Sequence, residues 1–154
     1  MVAKNRRRNP SQVRQPRASF YAWKLEETGK ILEALRKKSD AGAPTVVEGR
    51  RDEQALRKLG VTGSVLCLKA AGETRIRFLE KLDGFRDVVL LPDFDREGGE
   101  LRSWLYQELS RRGIRADDIL WRRLRSLTRK EVRSVEEFPS FIRSVEARAR
   151  GERP

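Results

Sequence analysis

Three features of the chain predict an α/β fold built on a parallel sheet. Short apolar segments recur at 45–47, 64–68 and 88–91, and the segments between them carry apolar residues at helical spacing. Glycines stand where each of those helices would end. Strands that alternate with amphipathic helices form a parallel sheet covered on both faces. We therefore predict a Rossmann-like open parallel sheet of about four strands, with a further helix at each end of the chain.

The first 17 residues predict a basic, disordered tail. They include Pro10 and Pro16 and no acidic residue, so they cannot form a core. The cations of this tail are Lys4, Arg6, Arg7, Arg8, Arg14 and Arg17. Two interpretations are open: an arm that keeps the protein soluble, or an arm that contacts phosphates.

Residues 18–43 predict a helix from Ser19 to Lys38 and then a loop from Ser39 to Pro44. Tyr21 and Trp23 near the helix start either pack on the sheet or stack on nucleic-acid bases.

Residues 44–125 contain the alternating unit. Its first helix is expected to begin with Asp52 as a cap and to end at Gly60. The second helix carries Ile76, Leu79 and Leu82 as inward residues, and the third runs to about Arg112. A fourth strand is predicted at 116–121.

Residues 126–154 are predicted to form a helical extension. Thr128 to Glu131 and Ser134 to Glu137 match the spacing of capping boxes. The final helix would place Val135, Phe138, Ile142 and Val145 against the rest of the protein.

Composition limits the possible functions. Lys and Arg total 35 against 23 Asp and Glu, a net charge of +12. This excess favours a polyanionic partner, with nucleic acid ahead of an anionic membrane surface.

The absence of histidine excludes Ser-His-Asp triads and His-bound zinc. Cys67, the single cysteine, is predicted to be a buried structural thiol. No apolar run approaches the roughly 20 residues of a membrane span, and no signal peptide is recognisable, so we predict a cytoplasmic protein without membrane contact.

A run of carboxylates follows the third predicted strand. Asp93, Asp95 and Glu97 lie between that strand and the next helix, close enough to repel one another. Glu48 ends the first strand, and parallel strands end at the same edge of a sheet, where such folds bind ligands. Mg²⁺ relieves carboxylate repulsion and binds one or two carboxylates together with phosphate oxygens. Alone, Asp93 or Asp95 would be interpreted as a helix cap, and Glu97 as a first-turn acid favoured by the helix dipole.

These segments resemble the Toprim domain. The resemblance consists of Glu48-Gly49-Arg50-Arg51-Asp52 after one Val-rich strand and Asp93-Phe94-Asp95-Arg96-Glu97-Gly98 after another, and it covers about residues 44–123. That domain occurs in topoisomerases, bacterial-type primases, recombination-repair proteins, nucleases and the ribonuclease that matures 5S ribosomal RNA. The chain looks most similar to the small stand-alone Toprim proteins of archaea and to the domain of that ribonuclease.

The resemblance implies roles for the matching residues. Glu48 corresponds to the Toprim glutamate, which does acid-base work or shares the metal site. Asp93 and Asp95 correspond to the Mg²⁺-binding aspartates, with Mn²⁺ as a substitute, and Glu97 to a third acid. Gly49 and Gly98 would let backbone approach the metal and phosphate.

Several cations lie beside these carboxylates in the sequence. Arg50, Arg51, Lys69 and Arg96 either bind phosphates or form surface ion pairs. Arginine clusters at 111–115 and 122–125 either extend a nucleic-acid track or form a solvated face.

Two function classes remain. Strand passage needs a nucleophilic tyrosine on a further domain, and primases need further template-handling domains. The enzyme hypothesis is therefore Mg²⁺-dependent hydrolysis of nucleic-acid phosphodiesters, with RNA such as a ribosomal precursor favoured over DNA by the resemblance. The alternative is a non-catalytic binding module in ribosome assembly or in DNA recombination and repair, with a protein or ribosomal partner.

Overall fold

The computed structural model describes residues 17–70 and 72–153, and a four-stranded parallel sheet lies at its centre. The strands are β1 (Thr45–Val47), β2 (Val65–Cys67), β3 (Asp87–Leu90) and β4 (Arg115–Asp117), in the spatial order β2-β1-β3-β4. The helices are α1 (Arg17–Asp40), α2 (Arg50–Lys58), α3 (Arg75–Leu82), α4 (Arg96–Arg111), α5 (Ile119–Thr128) and α6 (Phe138–Ala149), and a 3₁₀ turn, Val135–Glu137, precedes α6. The predicted fold class is confirmed.

Two apolar cores cover the two faces of the sheet. Val46 and Leu90 belong to the core formed with α3 and α4. Val47 and Leu91, the next residues along, belong to the core formed with α1, α2, α5 and α6. Successive side chains of a strand point to opposite faces, so a strand buried on both sides is apolar throughout. That is why β1 and β3 are short continuous apolar runs in the sequence.

The strand order creates a switch point between β1 and β3. β1 pairs with β2 along one side and with β3 along the other, and all pairings are parallel. The connections from β1 and from β3 therefore leave the sheet in opposite directions, and a crevice opens between the carboxyl ends of these two strands. Any residue that directly follows β1 or β3 borders this crevice.

Some predicted boundaries on the amino-terminal side were wrong. α1 includes Ser39 and Asp40, where a loop was predicted. Gly49, rather than Asp52, precedes α2, so Asp52 is the third helical residue. Ile76 is 66% exposed, and Phe78 takes the inward position in α3 with Leu79 and Leu82.

The predicted fourth strand was wrong at its carboxyl end. β4 stops at Asp117, and Leu120 and Trp121 are buried residues of α5. Thr128 belongs to the last turn of α5, so the capping box predicted there does not start a helix. α5 also runs across the boundary predicted between residues 125 and 126.

Other predictions concern exposed or undescribed parts of the chain. The tail cations Arg6, Arg7 and Arg8 lie outside the described residues. Tyr21 packs partly buried against one apolar core, whereas Trp23 is 51% exposed. Among the described residues, none of the helices combines the length and the apolar character needed to cross a membrane.

Candidate functional site

Glu48 connects the carboxyl ends of three strands. It directly follows β1 and is only 4% exposed. Its Oε2 accepts a hydrogen bond of 2.6 Å from the backbone N–H of Asp93, which follows β3. Its Oε1 lies 3.1 Å from Nζ of Lys69, which follows β2. The switch point therefore brings together two acids that are 45 residues apart in the chain.

The Asp93 carboxyl group is held where its charged form is unfavourable. Burial, followed by the charge and hydrogen bond of Glu48, raises the pKa of Asp93 to about 8. Asp52 and Asp95 act in the same direction. Desolvation and like charges both penalise a carboxylate, and a bound cation offsets both. The sequence prediction that these acids converge is consistent with this arrangement.

Asp95 begins α4. It is the N-cap residue, and its Oδ1 accepts a 2.8 Å hydrogen bond from the backbone N–H of Gly98. A Cβ atom at Gly98 would lie 1.8 Å from the carbonyl oxygen of Asp93. Only glycine permits the first turn of α4 to lie against the Asp93 backbone. Asp95 is thus a helix cap as well as a member of the carboxylate edge, because only one of its oxygens is used by the cap.

Asp52 is a second buried acid at this edge. Its two oxygens accept backbone hydrogen bonds from Gly49 at 3.1 Å and from Glu136 at 2.9 Å. Burial raises the pKa of Asp52, and these two hydrogen bonds oppose the rise. Asp52 therefore fixes the turn after Glu48 and attaches the 3₁₀ turn to the edge of the site.

Trp121 packs against the loop that contains Asp93 and hydrogen-bonds to its backbone, a role that the sequence did not reveal. Its indole N–H donates to the carbonyl of Pro92 at 2.9 Å and lies 3.3 Å from that of Asp93. Phe94 stacks on the Trp121 ring, and the Phe94 N–H donates to the carbonyl of Arg133 at 2.6 Å. The segment after α5 therefore forms one wall of the site. The only sequence signal was a tryptophan in a segment interpreted as a strand.

The predicted phosphate-binding cations are not equivalent. Lys69 contacts both Glu48 and, at 3.5 Å, Glu97. Arg51 and Arg96 form exposed ion pairs with Glu136 and Glu100 respectively.

The other members of the predicted set lie further out. Arg50 is exposed, and the Glu97 side chain is 71% exposed at the rim of the site. Arg133 lies 3.8 Å from Asp95 and was not predicted as a site residue. Cys67 is half-buried rather than fully buried, and burial raises the pKa of its thiol to about 11, so it is protonated at neutral pH.

The carboxylate oxygens are suitable ligands for a hard cation, but they are not arranged as a ready-made metal site. Glu48, Asp93 and Asp95 supply the oxygen atoms that Mg²⁺ prefers. Within residues 17–70 and 72–153, however, no three acidic or thiol groups lie in a ready-made metal-binding cluster. The Lys69 ammonium group provides the positive charge that Glu48 contacts.

Fold and site together define an α/β protein with a carboxylate-lined edge at the switch point of a parallel sheet. The chain is 32% identical over 121 residues to a UPF0292 protein of Thermococcus kodakarensis, covering 78% of this chain and 90% of that protein. It is 34% identical over 120 residues to a UPF0292 protein of Thermococcus gammatolerans, covering 78% and 89%. The chain belongs to the UPF0292 family.

A solved structure shares the architecture. It is described as a putative protein from Aquifex aeolicus, and it superposes with a TM-score of 0.60 at 26% identity. The superposition covers 71% of this chain and 95% of the Aquifex chain. No family model matches the sequence.

Proposed function

We propose that this protein hydrolyses nucleic-acid phosphodiesters in a Mg²⁺-dependent reaction, with structured RNA such as a ribosomal RNA precursor as its substrate. One observation carries the proposal. A buried Glu48 is held against Asp93 at the switch point, and the pKa of Asp93 is raised to about 8. Perturbed acids in a ligand-binding crevice are typical of functional sites. The Toprim resemblance of the same residues supports the same chemistry.

The donor set supports Mg²⁺, with Mn²⁺ as a substitute. Glu48, Asp93 and Asp95 would hold the ion, with Glu97 at the rim. When bound, the ion supplies positive charge that offsets the negative charge developing on the phosphate oxygens. Positive charge at this point would also offset the burial and the neighbouring carboxylates that raise the pKa of Asp93 to about 8.

The remaining chemistry belongs to side chains of this chain. Glu48 has one oxygen held by the Asp93 N–H, and its other oxygen contacts Lys69. In the proposed reaction that second oxygen accepts a proton from the attacking water once Lys69 moves to a substrate phosphate. The water oxygen then forms a bond to phosphorus as the ester P–O bond breaks, and the departing oxygen takes a proton from solvent. Lys69 is suited to the move to phosphate because its side chain is long, flexible and about half exposed.

The substrate class follows from charge and resemblance. The net charge of +12 favours a polyanion. RNA is preferred over DNA because the sequence resembles the Toprim domain of the 5S-maturing ribonuclease. A protein or ribosomal partner would then help to select the substrate, and the reaction would take place in the cytoplasm.

A cleavage assay tests the proposal. Purified protein is incubated with a structured RNA, a ribosomal precursor transcript for example, and with duplex DNA, in millimolar Mg²⁺ or in EDTA. We expect cleavage of RNA in Mg²⁺ only. The Asp93→Asn/Asp95→Asn variant should lose cleavage and keep nucleic-acid binding, because the substitutions remove oxygen charge without removing basic residues.

One observation favours a second candidate function. Lys69 already neutralises Glu48 and Glu97, as expected of a site that no longer needs a cation. A non-catalytic module in ribosome assembly or in DNA recombination and repair would bind nucleic acid in Mg²⁺ and in EDTA alike. Binding without cleavage of either substrate would replace the nuclease by this alternative.

A further inference from the structure

A basic cavity opens beside the carboxylate edge. Its volume is about 440 Å³, and Asp95 is the one acidic residue among those that line it in the described part of the chain. The lining residues come from the start of α4 and the end of α5: Phe94, Asp95, Arg96, Arg125, Thr128, Arg129 and Lys130. The cavity therefore shares Asp95 with the proposed catalytic site.

Three of the four cations that line this cavity lack an acidic partner in the described part of the chain. Arg96 pairs with Glu100, but Arg125, Arg129 and Lys130 form no ion pair with any described residue. Arg125 instead lies over the Trp121 ring, 5.2 Å from its centroid. Concave surfaces that hold several unpaired cations attract anions, and arginine is suited to phosphate in particular.

The backbone at this cavity is unusual in a second, independent way. Arg129 has φ 40° and Lys130 has φ 69°, so two successive non-glycine residues adopt left-handed conformations. The residue that ends a helix in this conformation is usually glycine. Strain of this kind is retained where the surrounding structure serves a function. Here the strained turn directs two long cationic side chains to the cavity beside Asp95.

We propose that this cavity binds a backbone phosphate of the substrate strand next to the scissile phosphate. This inference rests on the proposed function, and it assigns Arg125, Arg129 and Lys130 to substrate positioning. The cavity would fix the strand relative to Glu48 and Asp93, so that it sets which phosphodiester enters the carboxylate site.

Binding measured in EDTA tests the cavity apart from catalysis. The probe is a fluorescent single-stranded RNA oligonucleotide, titrated at several salt concentrations. Arg129→Gln/Lys130→Gln should weaken binding roughly tenfold and lower the slope of log K against log salt by about 0.7, the change expected when a single strand loses one phosphate contact. Arg129→Lys/Lys130→Arg keeps both charges and should restore most of the affinity.

A matched control removes the same charge elsewhere. Lys58 and Arg86 are exposed, have no acidic partner among the described residues, and lie toward the opposite edge of the sheet. Lys58→Gln/Arg86→Gln should change the affinity less than about twofold. Equal losses in the two double variants would overturn the proposal, because the effect would then come from net charge alone.

Arg129→Gly separates binding from helix capping. Glycine adopts the left-handed conformation without strain, so the melting temperature should stay the same or rise while RNA affinity falls. A lower melting temperature with unchanged affinity would show that Arg129 only stabilises the end of α5, and would overturn the proposal.

Two further comparisons are informative. One distinguishes binding of inorganic phosphate from binding of RNA, and the other distinguishes failure of the cavity inference from failure of the nuclease proposal. If the glutamine variant loses affinity for inorganic phosphate while its RNA affinity is unchanged, the cavity is a small-anion site and the inference is wrong. If RNA binding falls as expected but wild-type protein cleaves nothing in Mg²⁺, the cavity inference stands and the nuclease proposal fails. If wild-type protein cleaves RNA and the glutamine variant binds and cleaves it equally well, the nuclease proposal stands and the cavity inference fails.

Discussion

Two concave regions of the molecule differ in how their charges are balanced. The first, beside β4, has a volume of about 730 Å³, and its charged lining residues are Lys38, Arg86, Asp87, Arg115, Asp117 and Asp118. Among the described residues, all of these charges except Arg86 have an opposite partner: Lys38 with Asp117, Arg115 with Asp87, and Asp118 with two arginines of α4 and α5.

The carboxyl edge of the sheet has the opposite character. Its cavity is smaller, about 440 Å³, but Asp93 is crowded by like charges, and three nearby cations have no acidic partner within residues 17–70 and 72–153. Charges that satisfy one another are structural and leave nothing for a ligand, whereas charges left uncompensated cost stability unless a ligand completes them. The carboxyl edge therefore has the larger imbalance of charge, and this imbalance, rather than cavity size, makes it the candidate functional region.

The largest expected effect is on cleavage. Glu48→Gln removes the proposed proton acceptor and should reduce Mg²⁺-dependent RNA cleavage by about 100-fold or more. The matched variant Asp117→Asn lies in the balanced region and should keep wild-type activity. Initial rates at saturating Mg²⁺ measure both, and full activity in Glu48→Gln would refute the catalytic role of this residue.

The next effect concerns backbone packing at the same edge. Gly98→Ala places a Cβ against the Asp93 carbonyl and should lower the free energy of unfolding by about 1–3 kcal/mol or more. Gly99→Ala, one residue later, meets only the edge of Trp121 at 3.9 Å and should stabilise the helix by about 0.5–1 kcal/mol. Urea denaturation of both variants checks the contrast, and equal effects would show that α4 does not depend on its close contact with Asp93.

The raised pKa of Asp93 predicts a pH dependence of stability. Its pKa is about 8 in the folded protein, against an ordinary value of 3.8, so the folded state binds more protons between these values. The contribution of Asp93 to the free energy of unfolding should therefore fall as the pH rises from about 4 to about 8.

Asp93→Asn removes that contribution. In EDTA the variant should melt at a higher temperature than wild type at pH 8–9, and the difference should shrink toward pH 4. A variant that melts below wild type at pH 9 would mean that the Asp93 charge is stabilised in the folded protein, contrary to the account.

The smallest effect is expected in the balanced region. Asp87→Asn breaks a largely exposed 3.5 Å pair with Arg115 and should cost less than about 1 kcal/mol. RNA affinity in EDTA should not change. A marked loss of affinity would show that the cavity beside β4 also contributes to nucleic-acid binding.

Sequence pattern was sufficient for the parts of the site that depend on strand order. β1 and β3 are apolar because both faces are covered, and the acids that follow them meet because parallel strands end at one edge. The segment 116–121 was predicted wrongly because a short apolar run does not distinguish a strand from a buried helical segment. The hydrogen bonds from the Phe94 N–H to Arg133 and from Glu136 to Asp52 use the backbone groups of Arg133 and Glu136, which leave no side-chain pattern in the sequence.

The melting temperature in Mg²⁺ tests the central claim most directly. Wild type, Asp93→Asn/Asp95→Asn and Asp117→Asn are melted in EDTA and in millimolar Mg²⁺ at pH 8. A ligand that binds only the folded state raises the melting temperature. The account predicts such a rise for wild type and Asp117→Asn and none for the double variant. An unchanged wild type, or an equal rise in all three proteins, would contradict the claim that Asp93 and Asp95 belong to a cation site.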